Sequence, residues 1–217
     1  MSANESVMDT GLISPKVEQL LLAAEVEFAE RGFEGAGMKR IAARADVSQA
    51  LLHYHFGTKD RLYAEVIAQR SKKINDERRA MLARIDLTAD TALRDVFEAL
   101  FRPPLGPAGG AQSYARIFGG LVVGRERDRV LVKQHYDPTA KEFIRSIQII
   151  LEHDTPAIAA QSYTLALGAL ISVIARDGRI ERLMEQSDKM QDTKVLLTQL
   201  ITFCTGGVRA LAAAART

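Results

Sequence analysis

The stretch Met38 to Leu62, MKRIAARADVSQALLHYHFGTKDRL, decides how this chain folds. Its apolar residues recur at helical rather than alternating spacing, with Ile41, Ala42 and Ala45 on one short face and Leu52 and Phe56 on a second. The spacing predicts a helix from about Met38 to Ala45, a turn at Asp46-Val47-Ser48, and a helix from Gln49 to Phe56. Thr58 then caps the start of another helix. Packed through Ile41, Val47, Leu52, Phe56 and Leu62, such a block is too small to fold alone. The segment before it supplies the missing wall. Ser14 and Pro15 form a cap and first-turn pair, Val17, Leu20, Leu21, Ala24 and Phe28 share one face, and Gly32 ends the helix. The result is a three-helix helix-turn-helix unit whose last short helix is free to enter a DNA major groove.

That helix exposes Ser48, Gln49, His53, Tyr54 and His55, all able to hydrogen-bond bases or phosphates, and Ala50, small enough for close approach to the backbone. Gln49 is the best base reader, because a Gln amide can bond an adenine edge at two points. Tyr54, Lys59 and the amides following Thr58 suit phosphates, which fix register without reading sequence. Lys39 joins the predicted contact set through local charge. The chain as a whole carries only +2, yet Arg31, Lys39, Arg40, Arg44, Lys59 and Arg61 crowd one short segment against Glu34, Asp46 and Asp60. The stretch before them is acid-rich, with Glu18, Glu25, Glu27 and Glu30. His53 and His55 point roughly 200 degrees apart on a helix and cannot chelate one metal ion.

Taken together, Ile41-Ala42, Ala45, Val47-Ser48, Tyr54-His55-Phe56, Thr58-Lys59 and Leu62 resemble the N-terminal signature of the TetR family of transcriptional regulators. The resemblance covers about Gly32 to Leu62. It implies a homodimer with one helix-turn-helix per subunit and a helical ligand-binding domain whose occupancy controls DNA affinity, usually in repression. The chain departs from the pattern in four places. Asp46 stands in the turn where the family usually has Gly, Ala50 where Gly is frequent, His53 where Tyr is frequent, and Gly37 where Ser or Thr commonly caps the second helix. The last change weakens that cap by a few tenths of a kcal/mol.

Over 217 residues, 47% of them hydrophobic, helical periodicity dominates and no segment alternates as a strand does. The predicted fold class is all-α: a helix-turn-helix DNA-binding domain joined by a long helix to a helical-bundle ligand-binding and dimerisation domain. Residues 1–13 are expected as a flexible arm, 14–61 as the DNA-binding domain and 62–217 as the ligand and dimerisation domain. The long helix after Thr58 has Leu62, Ile67, Ile74, Met81 and Ile85 as apolar contacts. Its cations, Arg70, Lys72, Lys73, Arg78, Arg79 and Arg84, read as a solvated face because Asp76 and Glu77 lie among them. Thr91 to Phe101 follows, then a loop rich in Pro and Gly from Pro103 to Gly110. Further helices are expected near Gln112 to Val123 and Asp128 to His153, the latter interrupted at Asp137-Pro138, and at Pro156 to Arg176 and Thr193 to Ala214.

In the last helix Leu197, Ile201, Cys204, Val208 and Leu211 form one stripe, while Leu196, Leu200 and Phe203 form another beside it. With Leu165 and Ala169 from the preceding helix, the first stripe is the expected interface with a second copy. A pocket is expected among the middle helices, lined by Phe97, Phe101, Phe118, Tyr163 and Leu167, with Arg116, His135 and Tyr136 as polar anchors. Sparse polarity there points to a lipophilic effector, with an acidic group as an open option that Arg116 or His135 would meet.

Other classes find little footing. The single cysteine excludes an internal disulfide framework and a Cys-based zinc site, and Cys204 reads as a core thiol; no metal or cofactor is expected. A helical enzyme built on His135 with Asp137 or Asp154 has no nucleophile, and there is no Gly-x-Ser-x-Gly elbow, HExxH pair or phosphate loop. A DNA-architectural protein would show steep salt dependence with little sequence discrimination. Ala157 to Ala175 is broken by Gln161, Ser162, Thr164 and Ser172, so it reads as a buried helix. The expected partners are a palindromic double-stranded DNA operator, a second copy of the chain and a small-molecule effector, in the cytoplasm and without a membrane.

Overall fold

A computed structural model describes residues 14–122, 124–152, 156–175, 182–183 and 192–215. The expected N-terminal arm, His153 and Asp154 lie outside the described residues. All regular structure among those described is helical. The chain forms two compact units that divide between Val66 and Ile67, inside a helix.

The first unit opens with α1, Pro15–Gly35. The Ser14 hydroxyl accepts a hydrogen bond from the Val17 amide at 3.3 Å, the cap that the sequence predicts. Gly32 does not end this helix. With φ of 65° it kinks the chain, and one further turn follows to Gly35. Gly37 precedes α2, Met38–Arg44, without a side-chain cap. Ser48 Oγ accepts from the Leu51 amide at 3.2 Å to start α3, Gln49–Phe56. Thr58 Oγ1 accepts from the Arg61 amide at 3.2 Å at the head of α4, Lys59–Leu82. Leu20, Leu21, Ala24, Phe28, Ile41, Leu52, Phe56 and Leu62 close a common core. Tyr63 joins it and meets the Phe28 and Phe33 rings edge-on, at 4.9 and 5.1 Å between centroids.

Two acidic side chains of this unit are buried, Glu25 and Glu27. Glu27 is 1% exposed and takes Arg40 at 2.6 Å, Arg31 at 3.3 Å and Arg44 at 3.6 Å, while Arg44 also reaches Glu30 at 2.6 Å. Burial pushes the Glu27 carboxyl upward in pKa, but the hydrogen bond and charge of Arg40, the charge of Arg31 and the Gly37 amide outweigh it, so the net shift is downward. The ion cluster ties α1 to α2 and is fully present above the ordinary glutamate range. It is lost as pH falls through the lowered folded value. Glu27→Gln should therefore cost about 1–3 kcal/mol at neutral pH, the arginines being half exposed and able to recover water. In urea titrations its deficit should shrink as pH drops below 4.5.

At the α2–α3 turn Asp46 adopts a φ of 52°, the left-handed region that favours glycine. Asp46→Gly should hold or raise the melting temperature. Asp46→Val should lower stability by about 1–3 kcal/mol, because a β-branched residue tolerates this backbone poorly.

The second unit carries the rest of α4 and then α5, Ala92–Leu105. Pro103 and Pro104 fall inside the last turn of α5 instead of in the expected loop. The helix tolerates them because it ends at once, with the Gly106 amide closing back on Arg102 and Pro103. A short 3-10 turn, Pro107–Gly109, leads into α6, Ala111–Val122. A Cβ on Gly109 would lie 1.9 Å from the Pro104 carbonyl oxygen, so only glycine fits there. α7, Glu126–His135, and α8, Asp137–Leu151, part at Asp137-Pro138 as the sequence predicts. α9, Pro156–Ala175, packs on α6 and α8, and α10, Thr193–Ala214, packs on α5 and α9.

Candidate nucleic-acid interface

Leu52 and Phe56 of α3 are buried and Leu51 is half-buried, while the rest of this helix faces outward. Ser48, Gln49, Ala50, His53, Tyr54, His55 and Thr58 are all exposed, as is Lys39 on α2. Tyr54 stands furthest out, at 82%. Its ring is free to meet a partner, which makes it a candidate DNA contact. The hydroxyls of Ser48 and Thr58 have a second duty, since each caps the helix it precedes.

Gln49 and His53 form a relay along the exposed side. His53 Nδ1 lies 2.7 Å from the Gly57 carbonyl oxygen, which can only accept, so Nδ1 carries the proton. In the Nδ1–H tautomer Nε2 is the acceptor, and Gln49 Nε2 donates to it at 3.3 Å. The amide of Gln49 is thereby oriented, with its oxygen and second N–H free to meet a base edge. Gly57 closes α3 with φ of 68°, and its amide bonds back to the His53 carbonyl.

The charge is arranged differently from the expectation. Arg31, Arg40 and Arg44 are drawn onto Glu27 and Glu30. Lys59 also turns inward, donating to the Ala36 carbonyl at 3.2 Å and sitting 4.4 Å above the Phe33 ring. A cation at the carbonyl end of α1 is favoured by the helix dipole, which makes Lys59 a structural clamp before it is a phosphate ligand. Lys39 and Arg61 have no ion-pair partner among the described residues. Arg61, exposed in the first turn of α4, is a phosphate candidate whose only signal in the sequence is local charge.

In the second unit the predicted ligand residues separate. Phe118 and Tyr136 line a cavity together with Ile74, Arg78, Tyr114 and Ile174. Phe97 and Phe101 are fully buried and stack on each other 5.6 Å apart as solid core. Arg116 points to solvent, Leu167 is half-buried, and His135 is half-buried with its backbone carbonyl accepting from Asn75 at 2.8 Å. Tyr163 is buried and close enough to feel the Arg78 charge. Arg116 and His135 therefore do not line this cavity, whereas Arg78 and Tyr114 do, although Arg78 reads from sequence as part of a solvated face.

The expected dimer residues separate too. Ile201, Cys204 and Val208 are at most 5% exposed, so they belong to the core of their own subunit and have no surface left for another. Burial pushes the Cys204 thiol up to about 11, consistent with an inert core thiol. Leu197 and Ala169 are half-buried. Leu165 at 61%, Phe203 at 75% and Leu211 at 40% remain outside, with Val195 at 46%.

These features define a helix-turn-helix DNA-binding protein with a helical C-terminal domain. Residues 20–66 match the model of the bacterial regulatory proteins of the tetR family, and residues 96–207 match that of the tetracyclin repressor-like C-terminal domain. The chain belongs to the TetR family of transcriptional regulators, and it is a DNA-binding regulator rather than an enzyme. A 49-residue segment is 49% identical to the HTH-type transcriptional activator FasR of Mycolicibacterium smegmatis, covering 23% of this chain and 22% of that protein. The fold is shared with the regulator PfmR from Thermus thermophilus, with a TM-score of 0.64 at 17% identity over 86% of this chain and 96% of that one. A TetR-like regulator from Rhodococcus sp. RHA1 superposes with a TM-score of 0.65 at 20% identity, over 92% and 99%.

Gln49→Ala should reduce affinity for the specific DNA site by about 1–3 kcal/mol while leaving non-specific DNA affinity unchanged. Lys39→Ala should instead weaken binding to all sequences and lower the salt slope by about one unit. Fluorescence anisotropy across a salt series separates the two effects.

Proposed function

We propose that this regulator acts as a homodimeric repressor on a palindromic operator, with Gln49 reading a base and Lys39, Tyr54 and Arg61 holding phosphates. The observation that carries the reading is the exposed side of α3, where an oriented amide and an unburied Tyr54 ring project from a helix anchored by Leu52 and Phe56. His55 extends the same polar end of the helix. Two copies of α3 must meet half-sites about one helical turn, ~34 Å, apart.

Dimerisation follows from what α9 and α10 leave uncovered. Both are long and apolar enough by composition to cross a membrane, yet each has one side in the subunit core and one side bearing Leu165, Val195, Phe203 and Leu211. A second copy of the same surface covers these residues through a four-helix contact. DNA-binding regulators of this family work in the cytoplasm, so this surface is assigned to a partner protein and not to lipid.

The effector site is the cavity bounded by α4, α5, α6 and Tyr136. Arg78 lies on α4, the same continuous helix that begins at Lys59 in the DNA-binding unit. Occupation of the cavity shifts α4 and alters the distance between the two recognition helices. A coupling of about 1–3 kcal/mol would change operator affinity roughly 5- to 150-fold. The relative FasR is named an activator, so a reporter assay must read the sign of control.

Selection of bound sequences from random DNA tests the reading, with a palindromic consensus as the expected result. Phe203→Glu should convert the dimer to monomer in sedimentation and weaken operator binding. No enriched sequence, or a Phe203→Glu protein still dimeric at micromolar concentration, would contradict it.

A further inference from the structure

α4 buries an unusual stripe in the second unit: Ile67, Arg70, Ser71, Ile74, Asn75 and Arg78, at the spacing of a normal apolar face. Arg78 is 2% exposed. Pro104 has no N–H to give the Leu100 carbonyl four residues earlier, and Arg78 Nε takes that carbonyl at 3.0 Å. Arg78 Nη1 reaches Asn75 Oδ1 at 3.4 Å. A guanidinium has five N–H donors, and among the described residues it finds no further acceptor and no carboxylate. Its remaining neighbours are the phenols of Tyr114, Tyr136 and Tyr163, the first two bonded to each other.

Among the described residues, this is a charge in an enclosed place without a counter-ion. Burial lowers the Arg78 pKa, with the surrounding phenols opposing it; an arginine in such a place stays protonated all the same. An isolated buried ion is costly, so proteins supply a partner or leave room for one. The room is here. Arg78 borders the cavity, whose other walls include the apolar Ile74, Phe118 and Ile174. Its volume is about 10 Å³, the space of a single water, so an occupant must push Tyr114, Phe118 or Ile174 aside. A second buried cation, Arg70, stands nearby. It donates to the Ala108 carbonyl at 3.2 Å and lies 6.0 Å from the Tyr114 ring centroid. Gly110 makes way for it, since a Cβ there would come within 2.5 Å of the guanidinium carbon.

We propose that Arg78 is the seat for the carboxylate of an effector whose body is apolar, the acid head replacing the missing counter-ion and the body spreading between Phe118, Ile74 and Ile174. The proposal rests on reading the second unit as the effector domain. An ester, alcohol or amide of the same shape leaves the guanidinium unpaired and so gains much less.

The test uses the purified full-length protein and a panel of straight-chain carboxylic acids of graded length, each matched by its primary amide, with sodium chloride as the inorganic control. Thermal-shift titration should show the preferred acid binding roughly tenfold or more tighter than its amide. Arg78→Met, which keeps the volume without the charge, should bind acid and amide alike. Equal binding of acid and amide by the natural protein overturns the proposal, and that comparison stands even if Arg78→Met fails to fold. Retained discrimination in a folded Arg78→Met also overturns it, as does stabilisation by chloride equal to that by any acid. DNA selection without ligand is run in parallel. A protein that selects a palindrome but ignores every acid refutes this inference alone, whereas acid discrimination without DNA selection refutes the regulator reading alone.

Discussion

The position of the recognition helix depends on one buried carboxylate. Glu27 lies on the inner side of α1, with 1% of its surface exposed, and Arg40 and Arg44 cross from α2 to reach it. Beside that contact the two helices share Ile41, Ala42, the small core around Leu20 and Phe28, and one hydrogen bond, from Gln19 Nε2 to the Ala45 carbonyl at 3.0 Å. α3 has only Leu52 and Phe56 with which to hold on, so its orientation is inherited from α2 through the Asp46 turn. The ion cluster also has an electrostatic consequence. It engages Arg31, Arg40 and Arg44 and leaves Lys39 and Arg61 exposed without an ion-pair partner among the described residues, as the proposed phosphate contacts require.

The second unit uses the same device with the signs reversed. Where Glu27 is surrounded by cations, Arg78 is surrounded by neutral dipoles: a carbonyl released by Pro104, the Asn75 amide and three phenols. The first arrangement is complete and stabilises a fixed geometry. The second is incomplete, and an incomplete buried charge has a large differential affinity for whatever completes it, which is the requirement for a ligand to shift an equilibrium. Arg78 lies on the helix that begins at Lys59, whose ammonium clamps the end of α1. Chain continuity alone thus links the DNA-facing unit to the proposed effector cavity.

Much of this was legible from residues alone, and for identifiable reasons. The helix-turn-helix showed itself because its core positions are apolar at regular spacing and its breaks are marked by Ser48, Thr58 and Asp46, whose chemistry belongs at turns and caps. Arg70 and Arg78 were invisible to the same logic. They occupy buried positions at helical spacing, but periodicity counts only apolar residues, and Asp76 and Glu77 on the opposite side made the whole run look solvated. Pro103 and Pro104 read as loop because proline usually ends helices, whereas here the helix stops just after them. In α10 two apolar stripes lie side by side, and no sequence rule says which one the subunit keeps. The structure gives Ile201, Cys204 and Val208 to its own core and leaves Phe203 and Leu211 outside.

The central claim is that the exposed side of α3 reads base sequence, with Gln49 as its reader. It is tested most directly by repeating the selection from random DNA with Gln49→Arg. A glutamine amide matches adenine and a guanidinium matches guanine, so the account predicts that one symmetrically placed position in each half-site changes from adenine to guanine while the rest of the consensus persists. A consensus unchanged at every position would contradict it.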